Sequence, residues 1–398
     1  MARGFKVVSM ALGFTLVLAL ASWPPAGAGT SSPAPAEMAT DPDEEDGRQG
    51  RSYQDSALFI AGLSNPEGSL REYEENQVWR RYSRLLQQSW EAFLKRQGHA
   101  MKSWAAQELG EVHTDTVFYP FSGPDLVHLH RLFPRARTYL MIALEPVGEL
   151  PDFAALNLGG FFARLHHSLG DVLHLSFFMT KKMAASLGRQ EMKGVLPILL
   201  FFLAREQAEV LEVRHWVMKP DGSVEEYPAS FPGKREGGIQ GVRIVFTEPG
   251  SDDKRTLYYF QFNLSNPSWE KNRHFVDFLQ SFGPFTTFTK AASYLMFHSH
   301  FDGIRRFILE HSRCVLQSDS GIPLKYFDRS QWELRFYGTY RSPITLFSHR
   351  RQAELAEIFR KKQEVRPLPF GICYHHRMNT SNLILATRKA IHTADGSP

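Results

Sequence analysis

The stretch Val117–Gly148 constrains the fold more than any other part of the chain. It opens in a β-rich segment, passes through a tight turn at Gly123 into a helix-like run, and ends in the apolar segment Thr138–Leu144. An apolar strand without alternation is typical of a central strand that is covered on both faces. Glu145 stands at its carboxyl end. Strand, turn, helix and strand in this order predict an α/β unit with a ligand crevice at the strand ends.

The segments on either side of this unit extend the same class of fold. Residues 69–109 and 151–205 have apolar residues at helical spacing, and residues 209–263 change to β-rich segments with a hairpin signal at Pro249-Gly250. Alternation of helices and strands returns from His274. We therefore predict an α/β fold: a Rossmann-like three-layer mixed sheet with a helical N-terminal lead-in and an antiparallel hairpin insertion.

Local patterns give finer expectations. Glycine and proline favour turns, and apolar periodicity favours helices or strands. On these grounds we expect a helix break at Gly98, an exposed loop over 219–241, a helix over Ala291–Phe297, a strand Trp332–Tyr337 paired with Arg313–Gln317, and a last strand at Phe370–Tyr374.

The N-terminus has the features of a secretory signal peptide. Arg3 and Lys6 precede the apolar run Val7–Ala21, and a small-residue cleavage site follows at Ala26–Ala28. The run is shorter than the roughly 20 residues that span a bilayer, although an uncleaved anchor stays open. We divide the chain into a signal peptide (1–28), a disordered linker (29–55), a single α/β domain (56–392) and a tail (393–398), and we expect an exported, periplasmic or extracellular protein.

Composition limits the classes of partner. Hydrophobic residues make up 43% of the chain and charged residues 22%, which is typical of a globular protein. The formal charge is only +4, and no block of Lys and Arg is interleaved with aromatic residues, so we expect no nucleic-acid partner. The apolar run Val195–Ala204 is too short to cross a bilayer, so we expect no stable membrane span after signal cleavage. Cys314 and Cys373 either pair, as exported proteins permit, or remain buried thiols. No cofactor or oligomeric state is indicated.

Three phrases of the sequence carry a resemblance to known proteins: Tyr119–Asp125, Lys290–Met296 and Ser318–Pro323. Together they resemble a family of exported bacterial proteins of unknown function, over most of the chain after residue 60. A looser likeness is to Rossmann-like methyltransferases, in which a Gly-bearing turn follows the first strand and an acid ends the second. Gly123 and Glu145 occupy comparable places, but a single glycine stands where two are usual, so the likeness implies the fold alone.

Candidate functional residues follow the predicted strands. Because ligands of open α/β sheets bind outside the carboxyl ends of the strands, we expect these residues to line one cleft. Lys290 and Asp319 are the leading pair, since a lysine beside a carboxylate binds anions or moves protons; a structural ion pair is the alternative. The candidate catalytic residues are Lys290, Asp319 and Ser122, and the candidate ligand-binding residues are Gly123, Asp125, Glu145, Ser293, Ser320, Tyr337, Tyr340 and Arg341.

Catalytic motifs are incomplete. Ser122 lies at a strand-to-helix turn but lacks the flanking glycines of a nucleophile elbow. His298, His300 and Asp302 form only half of a usual metal constellation. We therefore expect a binding protein for a small or glycan-like ligand. The alternative is an exported hydrolase or transferase that uses Lys290 and Asp319 with Ser122 or with a metal at His298, His300 and Asp302.

Overall fold

The computed structural model describes residues 52–112, 115–175, 188–189, 192–229 and 237–389, all of which belong to one compact unit. The predicted α/β class is confirmed, because helices accompany a mixed sheet of eleven strands. The described strands are β1 (Thr116–Pro120), β2 (Thr138–Ala143), β3 (Gly188–Arg189), β4 (Met192–Lys193), β5 (Glu209–Met218), β6 (Val224–Pro228), β7 (Ile239–Thr247), β8 (Arg255–Gln261), β9 (Phe285–Thr289), β10 (Ser312–Gln317), β11 (Trp332–Gly338), β12 (Val365–Arg366) and β13 (Asn382–Arg388).

The described helices lie before and between these strands. The first is the segment 52–60, α1. The others are α2 (Arg71–Glu74), α3 (Gln77–Phe93), α4 (His99–Glu108), α5 (Leu126–Leu132), α6 (Leu158–Leu175), α7 (Leu196–Arg205), α8 (Asn266–Lys271), α9 (Arg273–Gln280), α10 (Asp302–His311) and α11 (Ala353–Lys361), with short 3₁₀ turns at Leu295–Phe297, Ser299–Phe301, Leu324–Tyr326 and Thr345–Arg350.

The large sheet has the strand order β12-β11-β13-β10-β9-β1-β2-β8-β7-β5-β6. Its centre is parallel, since the five strands β10, β9, β1, β2 and β8 pair in parallel with one another in that order. The predicted hairpin β7–β8 is antiparallel and continues into β5 and β6 at one edge. The chain runs from β1 outward to β2 and later returns to β9 on the other side of β1. This reversal creates the kind of crevice at which ligands of α/β sheets bind.

Alternate strand residues face opposite sides of the sheet and join different cores. In β1, Val117 and Tyr119 belong to a core cluster that includes residues of the N-terminal helices, whereas Phe118 belongs to a second cluster. That second cluster includes Trp269 of α8 and Phe307 of α10. Burial on both faces explains why β1 and β2 read as almost continuous apolar segments.

Three of the local expectations are wrong. Gly98 does not break the helix, because a π-helical turn, Leu94–Gly98, links α3 to α4. A side chain at position 98 would meet that of Arg131, so this glycine serves close packing. The segment 219–241 is more than a loop, since it contains β6. Ala291–Phe297 begins in left-handed backbone, at φ 50° for Ala291, and only its last three residues are helical.

The two remaining corrections concern the end of the sheet. β11 does not pair with β10, because β13 lies between them and is antiparallel to both. No strand was assigned to Asn382–Arg388 from the sequence, so the position of β13 in the sheet was not predicted. Phe370–Tyr374 is not a strand; its backbone is irregular, with φ 68° at Cys373, and Ile372 is held by hydrogen bonds with Ser381 Oγ at 2.9 and 3.1 Å.

The predicted signal peptide, most of the linker and the tail lie outside the described residues. Residues 52–55, which the sequence places in the linker, are helical, because Tyr53 is buried in the core and Asp55 accepts a hydrogen bond from Asn65 Nδ2 at 2.8 Å. Within the described part of the chain, no helix has both the length and the apolarity needed to cross a bilayer. Cys314 and Cys373 are both free and buried.

Candidate functional site

A cavity of about 550 Å³ opens at the carboxyl ends of β1, β2, β8 and β9. It lies where the chain reverses direction across the sheet, which is the place the strand pattern predicts. Its walls are mainly apolar and aromatic. Among the described residues its lining consists of Tyr119, Phe121, Ser122, Gly123, Asp125, Ile142, Ala143, Leu144, Glu145, Phe262, Asn263, Leu264, Lys290, Ala291, Ala292, Ser293, Leu295, Phe301, Ile344, Leu346, Phe347 and Tyr374.

Six of the sequence-predicted residues meet at this cavity. Ser122, Gly123 and Asp125 come from the loop after β1, Glu145 from the loop after β2, and Lys290 and Ser293 from the loop after β9. Asp125, Glu145 and Lys290 are buried, with 1%, 5% and 2% of their surfaces exposed, so three charged groups line a largely apolar chamber. Buried charged groups at strand ends are a signature of functional sites.

Asp125 is the centre of a buried polar array. Its carboxylate forms an ion pair with Lys290 Nζ, receives the Nδ1–H of His128 at 2.5 Å and receives the hydroxyl of Tyr119 at 3.2 Å. Burial raises the pKa of Asp125, but His128 and Lys290 outweigh it, so the pKa lies below its usual range. Asp125 is therefore ionised at neutral pH.

His128 is neutral in this array. Burial and the nearby Lys290 charge lower the pKa of His128 against the opposing effect of Asp125. The imidazole donates from Nδ1 to the carboxylate, which leaves Nε2 as the unprotonated nitrogen. Nε2 has no hydrogen-bond partner among the described residues, and the ring stands edge-on to Phe93 at 6.0 Å between centroids. Lys290 thus supplies the positive charge that balances Asp125.

Strained backbone surrounds the cavity. Phe121, Ala291, Ser293 and Tyr294 have positive φ values of 60°, 50°, 50° and 54°. A residue other than glycine pays on the order of 1–3 kcal/mol for such a conformation, and these residues cluster at functional sites. The loop after β9 keeps this shape through hydrogen bonds from its amides: Ala292 N–H donates to Ser320 Oγ at 3.1 Å and Ser293 N–H donates to Tyr374 Oη at 3.1 Å.

Asp319 lies behind that loop, outside the set of described residues that line the cavity. Its carboxylate accepts hydrogen bonds from the Tyr294 hydroxyl and, at 3.1 Å, from Asn382 Nδ2. Burial raises the pKa of Asp319, and the two hydrogen bonds reduce the rise. This carboxylate anchors the strained Tyr294, which is a supporting role for the loop.

Lys290 and Asp319 both lie within electrostatic reach of Cys373. Burial raises the pKa of the Cys373 thiol to about 12, while Lys290 lowers it and Asp319 raises it. Lys290 forms an ion pair with Asp125, and Asp319 accepts hydrogen bonds from Tyr294 and Asn382. The direct interaction between Lys290 and Asp319 stays a prediction.

The other predicted ligand-binding residues are outside the cavity lining. Ser320 supports the loop from behind, through Ala292. Tyr337 lies on β11, where its hydroxyl donates to Glu108 Oε2 at 2.8 Å. Tyr340 packs on Phe359 at 6.0 Å between ring centroids. Arg341 is exposed and follows the carboxyl end of β11.

The contacts of the candidate nucleophile and of the candidate metal ligands do not favour these roles. The Ser122 hydroxyl donates to the Ile142 carbonyl at 3.3 Å, an acceptor that cannot take up a proton as a general base does. His298 contacts the guanidinium of Arg350 at 2.5 Å, and Asp302 forms an ion pair with Arg305. No three His, Cys, Asp or Glu side chains in the described part of the chain are arranged to hold a metal ion.

Sequence reasoning missed several residues of the site. His128 had a usable signal, because it lies three positions after Asp125 and thus on the same side of the turn into α5. Tyr119, Phe347 and Tyr374 had none, since they come together from β1 and from two distant loops. A scan against protein-family models and searches of curated proteins and of solved structures returned no match to this chain.

Proposed function

We propose that this protein is exported and binds a small or glycan-like ligand in the cavity at the carboxyl ends of β1, β2, β8 and β9. The observation that carries the proposal is the convergence of Asp125, Glu145 and Lys290, from three separate loops, on one largely apolar chamber. Its volume of about 550 Å³ suits a small organic molecule.

We further propose that the body is a Rossmann-like three-layer arrangement. The parallel centre, read as β8-β2-β1-β9-β10, has the reversal of a doubly wound sheet. Helix residues contribute to the core clusters on both faces. These features support the looser likeness to methyltransferases at the level of fold. They imply no reaction.

The chemistry of the walls favours a ligand with one apolar face and several hydroxyl groups. Phe262 and Tyr374 offer aromatic surface, and Glu145 provides carboxylate oxygens at the end of β2. In doubly wound sheets, an acid at this place accepts hydrogen bonds from sugar hydroxyls. The Lys290 charge is balanced by Asp125, so the chamber does not demand a strongly anionic ligand.

A thermal-shift screen of sugars, nucleosides and their derivatives tests the proposal. A ligand at 100 times its Kd stabilises the protein by about 2.7 kcal/mol, which raises the Tm measurably. The Glu145→Gln variant should lose most of that shift. Glu149→Gln is the matched control, because Glu149 is an exposed acid four positions on. Equal shifts in wild type and Glu145→Gln, for every ligand that binds, would contradict the proposed site.

The alternative function is an exported hydrolase or transferase. Its support is the buried Lys290–Asp125–His128 array beside strained loops, because such arrays polarise carbonyls or move protons. The versions that use Ser122 as nucleophile or a metal at His298, His300 and Asp302 have less support, given their contacts with a carbonyl and with arginines. Turnover of a ligand found in the screen would favour the enzyme over a binding protein.

A further inference from the structure

We propose that the edge of the protein around the cavity mouth docks onto an anionic lipid bilayer. The surface consists of the loops 290–301, 339–352 and 367–381, here called the rim. This inference concerns a separate interaction of the protein and does not depend on what the cavity binds.

Sheet topology brings the three loops to one edge. The first loop follows β9 and the second follows β11, which runs in the same direction, while the third precedes the antiparallel strand β13. Direct contacts join them. Ser293 of the first loop hydrogen-bonds Tyr374 of the third, and Phe347 of the second packs on Tyr294 with ring centroids 4.9 Å apart. The rim is therefore a continuous surface.

The rim is basic and has no acid of its own. Its three loops contain four arginines but no Asp or Glu, and the buried Lys290, which is paired with Asp125, does not contribute to the surface charge. Arg341, Arg351 and Arg377 are exposed. On the β2 side of the mouth, the exposed acid Glu149 is paired with Lys193 at 3.1 Å, which reduces its repulsion of an anionic surface. The rim thus complements a negatively charged partner.

Exposed apolar side chains accompany this charge. The most exposed large hydrophobic residues of the described part of the chain are Leu346 at 73%, Met378 at 59% and Leu144 at 58%. Leu346 and Met378 belong to the rim, and Leu144 follows β2 at the same edge. A soluble polyanion would need only the positive charges. Apolar residues surrounded by basic ones are instead typical of surfaces that enter the interface of an anionic membrane.

Docking in this orientation would have a consequence for the cavity. Leu346 and Leu144 both line the cavity and are exposed, so apolar surface continues from the chamber to the rim. The mouth of the cavity would then face the bilayer surface.

Vesicle sedimentation tests the docking. Full-length protein, purified from an exporting host, is mixed with vesicles of phosphatidylglycerol or of phosphatidylcholine. The readout is the ratio of binding to the two lipids, because the apolar run Val7–Ala21, if retained, inserts into both. The rim variant Arg341→Gln/Arg351→Gln should bind phosphatidylglycerol roughly 30-fold more weakly than wild type does, from about fivefold per basic residue at an anionic surface. Leu346→Ser should weaken binding to vesicles as well.

The controls are matched in type and lie outside the rim, on α3. Arg81→Gln/Arg84→Gln removes two exposed arginines, and Leu85→Ser replaces a leucine that is 42% exposed. Both should bind like wild type. The proposal is overturned if wild type shows no preference for phosphatidylglycerol, or if the control variants lose as much binding as the rim variants. It is also overturned if Leu346→Ser has no effect while soluble dextran sulfate displaces the protein fully, because the rim would then be a site for a soluble polyanion.

Discussion

Replacing Lys290 by Met should strongly destabilise the fold, because it leaves the Asp125 carboxylate buried without its cationic partner. Lys290 and Asp125 are both almost fully buried, and removal of one member of a buried pair typically costs about 3–5 kcal/mol. The double variant Asp125→Asn/Lys290→Met removes both charges. It should cost less than the sum of the two single variants, by at least about 2 kcal/mol. Urea unfolding of the four proteins measures this coupling.

The pH dependence of Lys290→Met provides a second check. In wild type, burial and Lys290 both lower the pKa of His128, while Asp125 raises it. Without Lys290, one of the influences that lower this pKa is gone, so the folded-state pKa of His128 should rise relative to wild type. A histidine whose folded-state pKa lies below its unfolded value destabilises the fold at low pH, and a smaller depression of the pKa reduces that penalty.

Lys290→Met should therefore lose less stability at pH 5.5 than at pH 8 relative to wild type, and Asp125→Asn/Lys290→Met should show no such difference. Additive single-variant effects, or a Lys290→Met cost that does not change with pH, would refute the view of Lys290, Asp125 and His128 as one electrostatic unit. Arg81→Met, which removes an exposed cation on α3, is the control and should change the free energy of unfolding by less than about 0.5 kcal/mol.

Further predictions concern other groups. Burial lowers the pKa of His130, but the Glu206 carboxylate at 3.7 Å and a hydrogen bond with Glu248 at 2.6 Å raise it to about 9. This histidine should therefore contribute roughly 3 kcal/mol below pH 6.5 that disappears by about pH 9; the free energy of unfolding of His130→Gln, measured in urea, should lack that pH dependence, and an unchanged pH dependence would contradict it. Tyr294→Phe removes a hydrogen-bond donor from the buried Asp319 and should lower the free energy of unfolding by about 1–3 kcal/mol. Tyr73→Phe, at a half-buried tyrosine, is the control and should change it little. An equal loss of Tm in the two variants would contradict the role of Asp319 as an anchor for Tyr294. Ser122→Ala should leave any catalytic turnover within a few fold, because the hydroxyl contacts a carbonyl, and a large loss in a kinetic assay would restore the nucleophile hypothesis. Mass spectrometry of protein from an exporting host should find an N-terminus near Gly29, and an intact Met1 would argue against cleavage.

Local patterns were sufficient for the elements whose signal lies within one segment. The unbroken apolar run of β2 and the turn at Gly123 predicted the central α/β unit, because a strand that is buried on both faces consists almost entirely of apolar residues. Ligands of open α/β sheets bind at the carboxyl ends of the strands, and this rule placed Asp125, Glu145 and Lys290 at one edge of the sheet. The three residues line the same cavity.

Tertiary structure decided what depends on contacts between distant segments. β13 separates β10 from β11, and no local pattern records which strand lies between two others. Packing likewise brings Lys290 to Asp125 and Asp319 to the Tyr294 hydroxyl, and no local pattern predicts either contact. Ala291 and Tyr294 adopt left-handed backbone although neither is a glycine, and the loop that contains them donates hydrogen bonds from its amides to hydroxyl groups of other loops. Sequence periodicity reports which face of an element is buried, whereas the choice of partner is a property of the assembled fold.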